Sequence, residues 1–572
     1  MVRWMRQAIG WTVMLAATAG AEATVSSPVI AAAAEASAAA PAGDDSAGNR
    51  LALVENGHDA LLLRVHLIRA AQRSIGIQTF IWTNDECGRL LIYELVEAAR
   101  RGVKVRILAD HLVSEQDPAT MAFLATVHPN LEVKHYRPAL ARMKPTLWQK
   151  LVAATFGFRA LNQRMHNKVL LVDDAVLLTG GRNVENTYFD HSTTMNFRDR
   201  DVLAVGPAVR AAASSFEAYW AFKHAVPSAA LRDVGAVLES GKFRRYGTRA
   251  DYDFGGFFAD LAGGDDAAAR AGARFAATLK PVRKAVFVAD EPGKTGGGAE
   301  MPRITQALRT TLEGARETVL MQTPYLVLSP AARDLIKAMH ARNPGLRIEI
   351  SSNSFASTDN LFAYSANYRL RNTYVEDLGL QVHEFKPQPA VQAELFPRHR
   401  EMAKLAAERA PKGKAARPPF FCLHAKSLVV DGRTAFVGSY NLDPRSENLN
   451  TEAGLLVEDE AFAGELRALI ERDLRPENSW VIARRPLPLK LEAVNGWIDD
   501  VLSVSPLDLW PIQNTTSYEL KPGMAPVPPG HPEFYERHRD AGAFPGTEGL
   551  FTTKEILTRL YKAVGAPLTP IL

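Results

Sequence analysis

The chain has 572 residues, 47% hydrophobic and 23% charged, which is enough for two or more sizeable cores and excludes a disordered polymer. A net charge of +4 at pH 7 lacks the strong basic footprint of a nucleic-acid binder, so no nucleic-acid partner is expected. Only two cysteines, Cys87 and Cys422, are present; they exclude a disulfide framework and read as buried small hydrophobes.

Residues 1–21 carry Arg3 and Arg6, an apolar run from Ala8 to Ala17, and the small-x-small pattern Ala19-Gly20-Ala21. They read as a secretory signal peptide or an N-terminal anchor, the run being short for a span of about 20 residues. Residues 22–50 are rich in Ala, Ser, Pro and Gly and read as a low-complexity linker. A first half, 51–228, then alternates element types. A helix is expected over 58–72, a strand over 74–82, a helix to Arg101, and strands over 103–110 and 131–136. Residues 229–300 read as a connecting segment with some helix, with turn-rich spots at 262–265 and 296–298.

A second half, 301–480, repeats this order, with a strand over 318–325, a helix over 331–342 and strands over 346–350 and 379–385. Gln78-Thr79 in the first strand returns as Gln322-Thr323. The alternation argues for an α/β fold and the repetition for an internal duplication. Residues 481–572 form a C-terminal extension ending in the amphipathic stretch 553–561, with no assignable chemistry.

The duplication is sharpest where it carries reactive side chains. His166-Asn167-Lys168 runs through four apolar residues to Asp173-Asp174 and then to Gly180-Gly181-Arg182-Asn183; His424-Ala425-Lys426 leads to Asp431-Gly432 and then to Gly438-Ser439-Tyr440-Asn441. Both copies fit H-x-K-x-x-x-x-D, with an Asn ten residues after the Asp. On a strand, His and Lys two apart share a face. Asp-Asp and Asp-Gly supply turn chemistry, so each copy reads as a hairpin with His, Lys and Asn at one end. Asp173 and Asp431 complete the catalytic motif by pattern, but as turn residues they are expected to brace the hairpins.

This set suits a phosphodiester. A neutral imidazole, with an ordinary pKa of about 6.5, is a nucleophile near pH 7, and a second, protonated one supplies a proton to the leaving alkoxide. Lys168 and Lys426 would hold the non-bridging oxygens, and Asn183 and Asn441 would add hydrogen bonds. An imidazole also needs a carboxylate to orient it. Asp199, in Asn196–Asp201, and Glu452, in Asn450-Thr451-Glu452, stand at matching places before the next strand of each half. No metal or other cofactor is called for, and no His/Cys/carboxylate ligand set stands beside the motifs.

The paired motifs resemble those of the phospholipase D superfamily. Arg164–Lys168, Gly180–Asn183, Asn353-Ser354 and Ser357-Thr358-Asp359 are similar to the bacterial cardiolipin synthases of the C-type branch, over about residues 51–515. The resemblance implies two pseudo-symmetric α/β sandwich halves with a shared active-site cleft, Asp199 and Glu452 as orienting carboxylates, and His166 as nucleophile. It implies phosphatidyl transfer to phosphatidylglycerol, with hydrolysis to phosphatidic acid as the alternative and a nuclease or a non-catalytic lipid binder as further ones. The expected partners are phospholipids and a membrane surface, in a bacterial cell envelope on the periplasmic face of the inner membrane; oligomeric state is left open. The N-terminal segment and the long C-terminus depart from the family pattern. Residues 147–161 read as an interfacial helix or a core helix, and the basic stretch 398–417 as a headgroup-binding or merely solvated loop.

Overall fold

The apolar runs that follow Lys168 and Lys426 are strands buried on both faces, because each lies inside a sheet with helices on one side and the other half of the chain on the other. The computed structural model describes residues 27–547, apart from positions 42, 112–113, 115–116, 147, 149–161, 255–257, 259–260, 262–265, 295–300, 411–416 and 487–513. The stretches 1–21, 262–265, 296–298 and 553–561 therefore lie outside the described residues. Of 147–161 only Trp148 is described, and it is exposed.

Up to residue 281 the strands are β1 (Arg50–Val54), β2 (Ser74–Thr79), β3 (Lys104–Asp110), β4 (Leu131–Tyr136), β5 (Val169–Val172), β6 (Val176–Gly180), β7 (Met195–Arg198), β8 (Asp201–Val205), β9 (Ala225–Pro227) and β10 (Lys280–Pro281). All but β7 form one sheet in the order β10-β1-β8-β6-β5-β2-β3-β4-β9. β2, β3 and β4 run parallel, which obliges crossovers, and the helices Glu86–Arg100 and Pro118–Leu124 supply them. The later strands are β11 (Lys284–Ala289), β12 (Thr318–Gln322), β13 (Arg347–Asn353), β14 (Gln381–Phe385), β15 (Phe420–Leu423), β16 (Ser427–Val430), β17 (Thr434–Gly438), β18 (Ala453–Glu458), β19 (Ser479–Arg484), β20 (Thr515–Leu520) and β21 (His538–Gly542). Their sheet runs β11-β18-β17-β16-β12-β13-β14-β19-β20-β21. From β8 to β9 and from β18 to β19 the two orders match strand for strand. The fold is two α/β halves of one repeated topology.

Both motif hairpins close as the turn chemistry predicts. Val172 C=O accepts from Ala175 N–H and Val430 C=O from Arg433 N–H, each at 3.0 Å. The two central residues have positive φ in both, 53° and 54° at Asp173-Asp174 and 52° and 63° at Asp431-Gly432, the sense that matches strand twist. The halves join through one apolar cluster in which Val169, Leu171 and Leu177 meet Val429, Val437 and Leu455. Buried Arg200 adds polar stitching, donating to Gln322 Oε1 at 3.0 Å and Ser427 Oγ at 2.7 Å across that boundary.

Four expectations need correction. The linker 22–50 contains a helix, Pro28–Ala39, with Ser27 as its N-cap. Alanine there acts as a strong helix former whose small side chain allows close packing, and Val29, Ala33 and Ala36 are buried against the first-half core. In the connecting segment 229–300 the expected helix is Ala267–Thr278, which packs on Gly57–Ala70, but β11 pairs with β18, so the second sheet begins before residue 301. The C-terminal extension 481–572 is partly core, since β20 and β21 continue that sheet beyond β19. The basic stretch 398–417 is not simply a loop, because His399–Arg409 is helical.

Candidate active site

The site forms where each half hands a strand end to the other. β7 of the first half pairs in parallel with β15 of the second, ending at Arg198 opposite Leu423. The related bridge, Met165 to Thr451, repeats this in the opposite sense. His424 N–H donates to Arg198 C=O at 2.8 Å, and His166 N–H to Thr451 C=O at 2.9 Å. The residue following each acceptor is an acid, so each motif histidine meets the carboxylate of the other half.

Nδ1 of His166 lies 2.9 Å from Glu452 Oε2, and Nδ1 of His424 lies 2.6 Å from Asp199 Oδ2. The sequence places one carboxylate in each half but does not say which histidine it serves; the pairing is crosswise. An ionised carboxylate only accepts, so Nδ1 carries the proton and Nε2 keeps the lone pair on both rings. Glu452 is held in turn by Ser439 Oγ and by Ser446 Oγ at 2.8 Å, and Asp199 by Arg200 N–H at 2.7 Å.

All six groups are buried. Burial, against the pull of the carboxylates, pushes both imidazoles down to about 4. Burial also takes Lys426 down to about 8 and Lys168 well below the ordinary lysine range. Burial alone would raise Asp199 and Glu452, but the facing histidines and lysines outweigh it and hold both below the usual carboxylate range. At pH 7 the rest state is therefore two neutral imidazoles on two carboxylates. Lys168 Nζ donates to His166 C=O at 2.7 Å, and Lys426 Nζ stands 3.0 Å from His424 Nε2. Asn183 of the first motif donates at 2.8 Å to Tyr188 Oη, which lies 3.4 Å from His424 Nε2 of the second, so the two motifs border one site.

Other expected residues sit elsewhere or act differently. Asp173 accepts the N–H groups of Gln72, Arg73 and Ser74 at 2.7–3.0 Å, and Asp431 those of Arg316, Glu317 and Thr318 at 2.8 Å. Five residues of strand, about 16 Å, separate each from its lysine. They are braces at the far end of the hairpins and are not brought to the site. Asn183 is engaged as a strut, accepting from Ile81 N–H at 3.1 Å and donating to Tyr188 Oη at 2.8 Å. Asn441 is buried, and its Oδ1 has no partner among the described residues. Arg182 is buried and donates to the carbonyls of Val54, Glu55, Tyr188 and Asp199. Asp443 caps the helix Pro444–Asn448, and burial raises it to about 6.

Sequence reasoning missed Tyr188 and Phe80. Tyr188 Oη lies 3.4 Å from His424 Nε2, and its ring meets that imidazole edge-on at 5.1 Å. The Phe80 ring packs edge-on against His166 at 4.8 Å. Neither is duplicated: Ser446 stands where Tyr188 would return, five residues after the motif Asn, and Pro324 stands for Phe80. A reading guided by the repeat passes over what the repeat omits. Among the described residues no group of three or more His, Cys, Asp or Glu side chains is gathered as a metal site would need.

The family model for the cardiolipin synthase phospholipase D-like domain matches residues 65–220 and 308–474. Cardiolipin synthase C of Escherichia coli is 30% identical over 414 residues, 72% of this chain and 81% of that one. An uncharacterised Helicobacter pylori protein is 32% identical over 434 residues, 75% of this chain and 79% of its own. Among solved structures, phosphatidylserine synthase of Haemophilus influenzae aligns at 15% identity over 79% of this chain and 93% of that one, with a TM-score of 0.49. The chain belongs to the cardiolipin synthase family of phospholipase D-like proteins.

Proposed function

We propose that this protein is a phosphatidyltransferase of the cardiolipin synthase type, moving a phosphatidyl group from one phospholipid to the headgroup alcohol of phosphatidylglycerol. The observation that carries the reading is the crosswise pair of His–carboxylate contacts beside two buried lysines. His166 Nε2 attacks phosphorus; a P–N bond forms as the ester P–O bond breaks, and the departing alkoxide takes a proton from His424 Nε2. In the second step the incoming hydroxyl gives its proton to His424 Nε2 and its oxygen displaces His166. The arriving phosphodiester supplies the negative charge that favours protonated His424 and charged lysines, which burial disfavours in its absence.

Surroundings support this division of labour. His424 Nε2 has Tyr188 Oη and Lys426 Nζ as polar neighbours, as a proton shuttle needs; each imidazole also packs on an apolar ring, His424 on Phe197 at 4.7 Å and His166 on Phe80 at 4.8 Å. Water as acceptor gives the hydrolytic alternative. Incubating the pure protein with phosphatidylglycerol vesicles separates the two: cardiolipin supports transfer, and phosphatidic acid alone removes it. We place the reaction at a membrane surface of the bacterial envelope on the strength of the N-terminal pattern and the lipid substrate. No helix among the described residues is long and apolar enough to cross a membrane.

A further inference from the structure

The phosphate-handling groups are duplicated, but the two ends of the ester they cut are unlike. Side chains that break the symmetry beside the motifs are therefore the ones able to tell those ends apart. On the His424 wall one such pair stands out. Tyr325 Oη donates to Asp359 Oδ2 at 2.7 Å, and Asp359 Oδ1 lies 3.5 Å from Cys422 Sγ. Cys422 precedes His424 by two residues along the same strand, so the carboxylate sits about 7 Å along the same face from the imidazole. Its charge acts on both His424 and Lys426. Asp359 is exposed although Cys422, His424 and Lys426 are buried, which puts it at the rim of the site. In the first half, the residue at the same distance from the strand glutamine is Ile81, three after Gln78 as Tyr325 is three after Gln322. That wall has no phenol there.

The chemistry of the pair is one-sided. The Tyr325 proton is spent on Asp359, so both residues offer acceptor lone pairs only. The phosphate pocket beside them is the reverse, rich in lysine donors. An acceptor-only edge repels a second anion and favours a group with several hydrogen-bond donors. We infer that Asp359 and Tyr325 seat the hydroxyls of a polyol headgroup, placing the acceptor alcohol on the His424 side of the phosphorus. This deepens, and rests on, the transfer reading. Water and simple alcohols carry no second hydroxyl to engage the pair; a glycerol headgroup does.

The test offers the pure full-length protein acyl-labelled phosphatidylglycerol vesicles with deuterated glycerol and propan-1-ol in competition, and measures the two transphosphatidylation products and phosphatidic acid. Wild type is expected to favour glycerol. Asp359→Ala is expected to lower the glycerol-to-propanol product ratio tenfold to a hundredfold and to shift product towards phosphatidic acid, the range expected for losing a hydrogen bond to a charged group. Tyr325→Phe, which leaves the carboxylate in place, should fall between the two. An unchanged ratio in Asp359→Ala, or equal losses with both alcohols, overturns the proposal. So does a defect that appears only when phosphatidylethanolamine vesicles replace phosphatidylglycerol as donor in a parallel run, which assigns the carboxylate to a cation instead. A wild type that makes no transfer product at all overturns the underlying reading, and this one with it.

Discussion

Replacing Glu452 by glutamine keeps the size of the side chain and changes what it asks of His166. In the wild type Glu452 Oε2 accepts from Nδ1 at 2.9 Å while Ser439 and Ser446 donate to the same carboxylate. In Glu452→Gln the amide oxygen stays on the Oε1 side, where Ser446 Oγ donates, which turns the amide NH2 towards Nδ1 and Ser439 Oγ. That contact then wants a lone pair on Nδ1, so the proton moves to Nε2 and the nucleophilic atom is lost. The equivalent change in a serine protease triad lowers kcat by about 10⁴-fold, and the same order, about 5 kcal/mol of barrier, is expected here. Asp199→Asn does the same to His424, but the lost role is proton delivery. A p-nitrophenyl phosphodiester separates them, because its leaving group needs little protonation. Asp199→Asn and His424→Ala should still release a burst of nitrophenol, whereas Glu452→Gln and His166→Ala should not. A Glu452→Gln protein within tenfold of wild type, or one that bursts as Asp199→Asn does, would refute the crosswise assignment.

Acidification should weaken the fold: both imidazoles sit at about 4 through burial against about 6.5 unfolded, so between those values the unfolded chain binds more protons and stability falls with falling pH, by about 3 kcal/mol per ring at most. Urea midpoints at pH 7.5 and pH 5 check this, and equal midpoints contradict it. Asp431→Ala removes the acceptor of three N–H groups at 2.8 Å and should cost about 2–3 kcal/mol, seen in thermal unfolding, while turnover per folded molecule stays within about threefold. A collapse of turnover in well-folded Asp431→Ala would instead return that residue to the chemistry. Ala33→Asp buries an unpaired charge in the Pro28–Ala39 helix and should cost about 3 kcal/mol or more; an unaltered melting temperature would show that this helix is not core.

The amino-acid pattern reads well where local chemistry decides. Helix 58–72 appears as Gly57–Ala70, strand 103–110 as Lys104–Asp110 and helix 331–342 as Pro330–Arg342, because periodicity and caps act within a few residues. Asp173 and Asp431 are legible as turn residues for the same reason. Long-range choices are not. Nothing local says that Glu452 serves His166 rather than His424; that follows from the parallel pairing of β7 with β15 and of Met165 with Thr451. β20 and β21 join a sheet whose neighbouring strand, β19, ends at Arg484, with residues 485–514 intervening. The Pro28–Ala39 helix looks like a linker because alanine-rich segments serve both purposes, and only the apolar surface waiting for Val29 and Ala33 decides.

Trapping the covalent intermediate tests the central claim most directly. In the proposed mechanism two histidines face one phosphorus and carry one phosphoryl group per chain, and the polar neighbours of His424 Nε2 favour His166 as its bearer. Quenched single turnovers followed by intact-protein and peptide mass spectrometry should find one phosphatidyl adduct per chain, on His166, and none in His166→Ala. Two adducts on one chain, or an adduct on His424 when His166 is intact, would contradict the account.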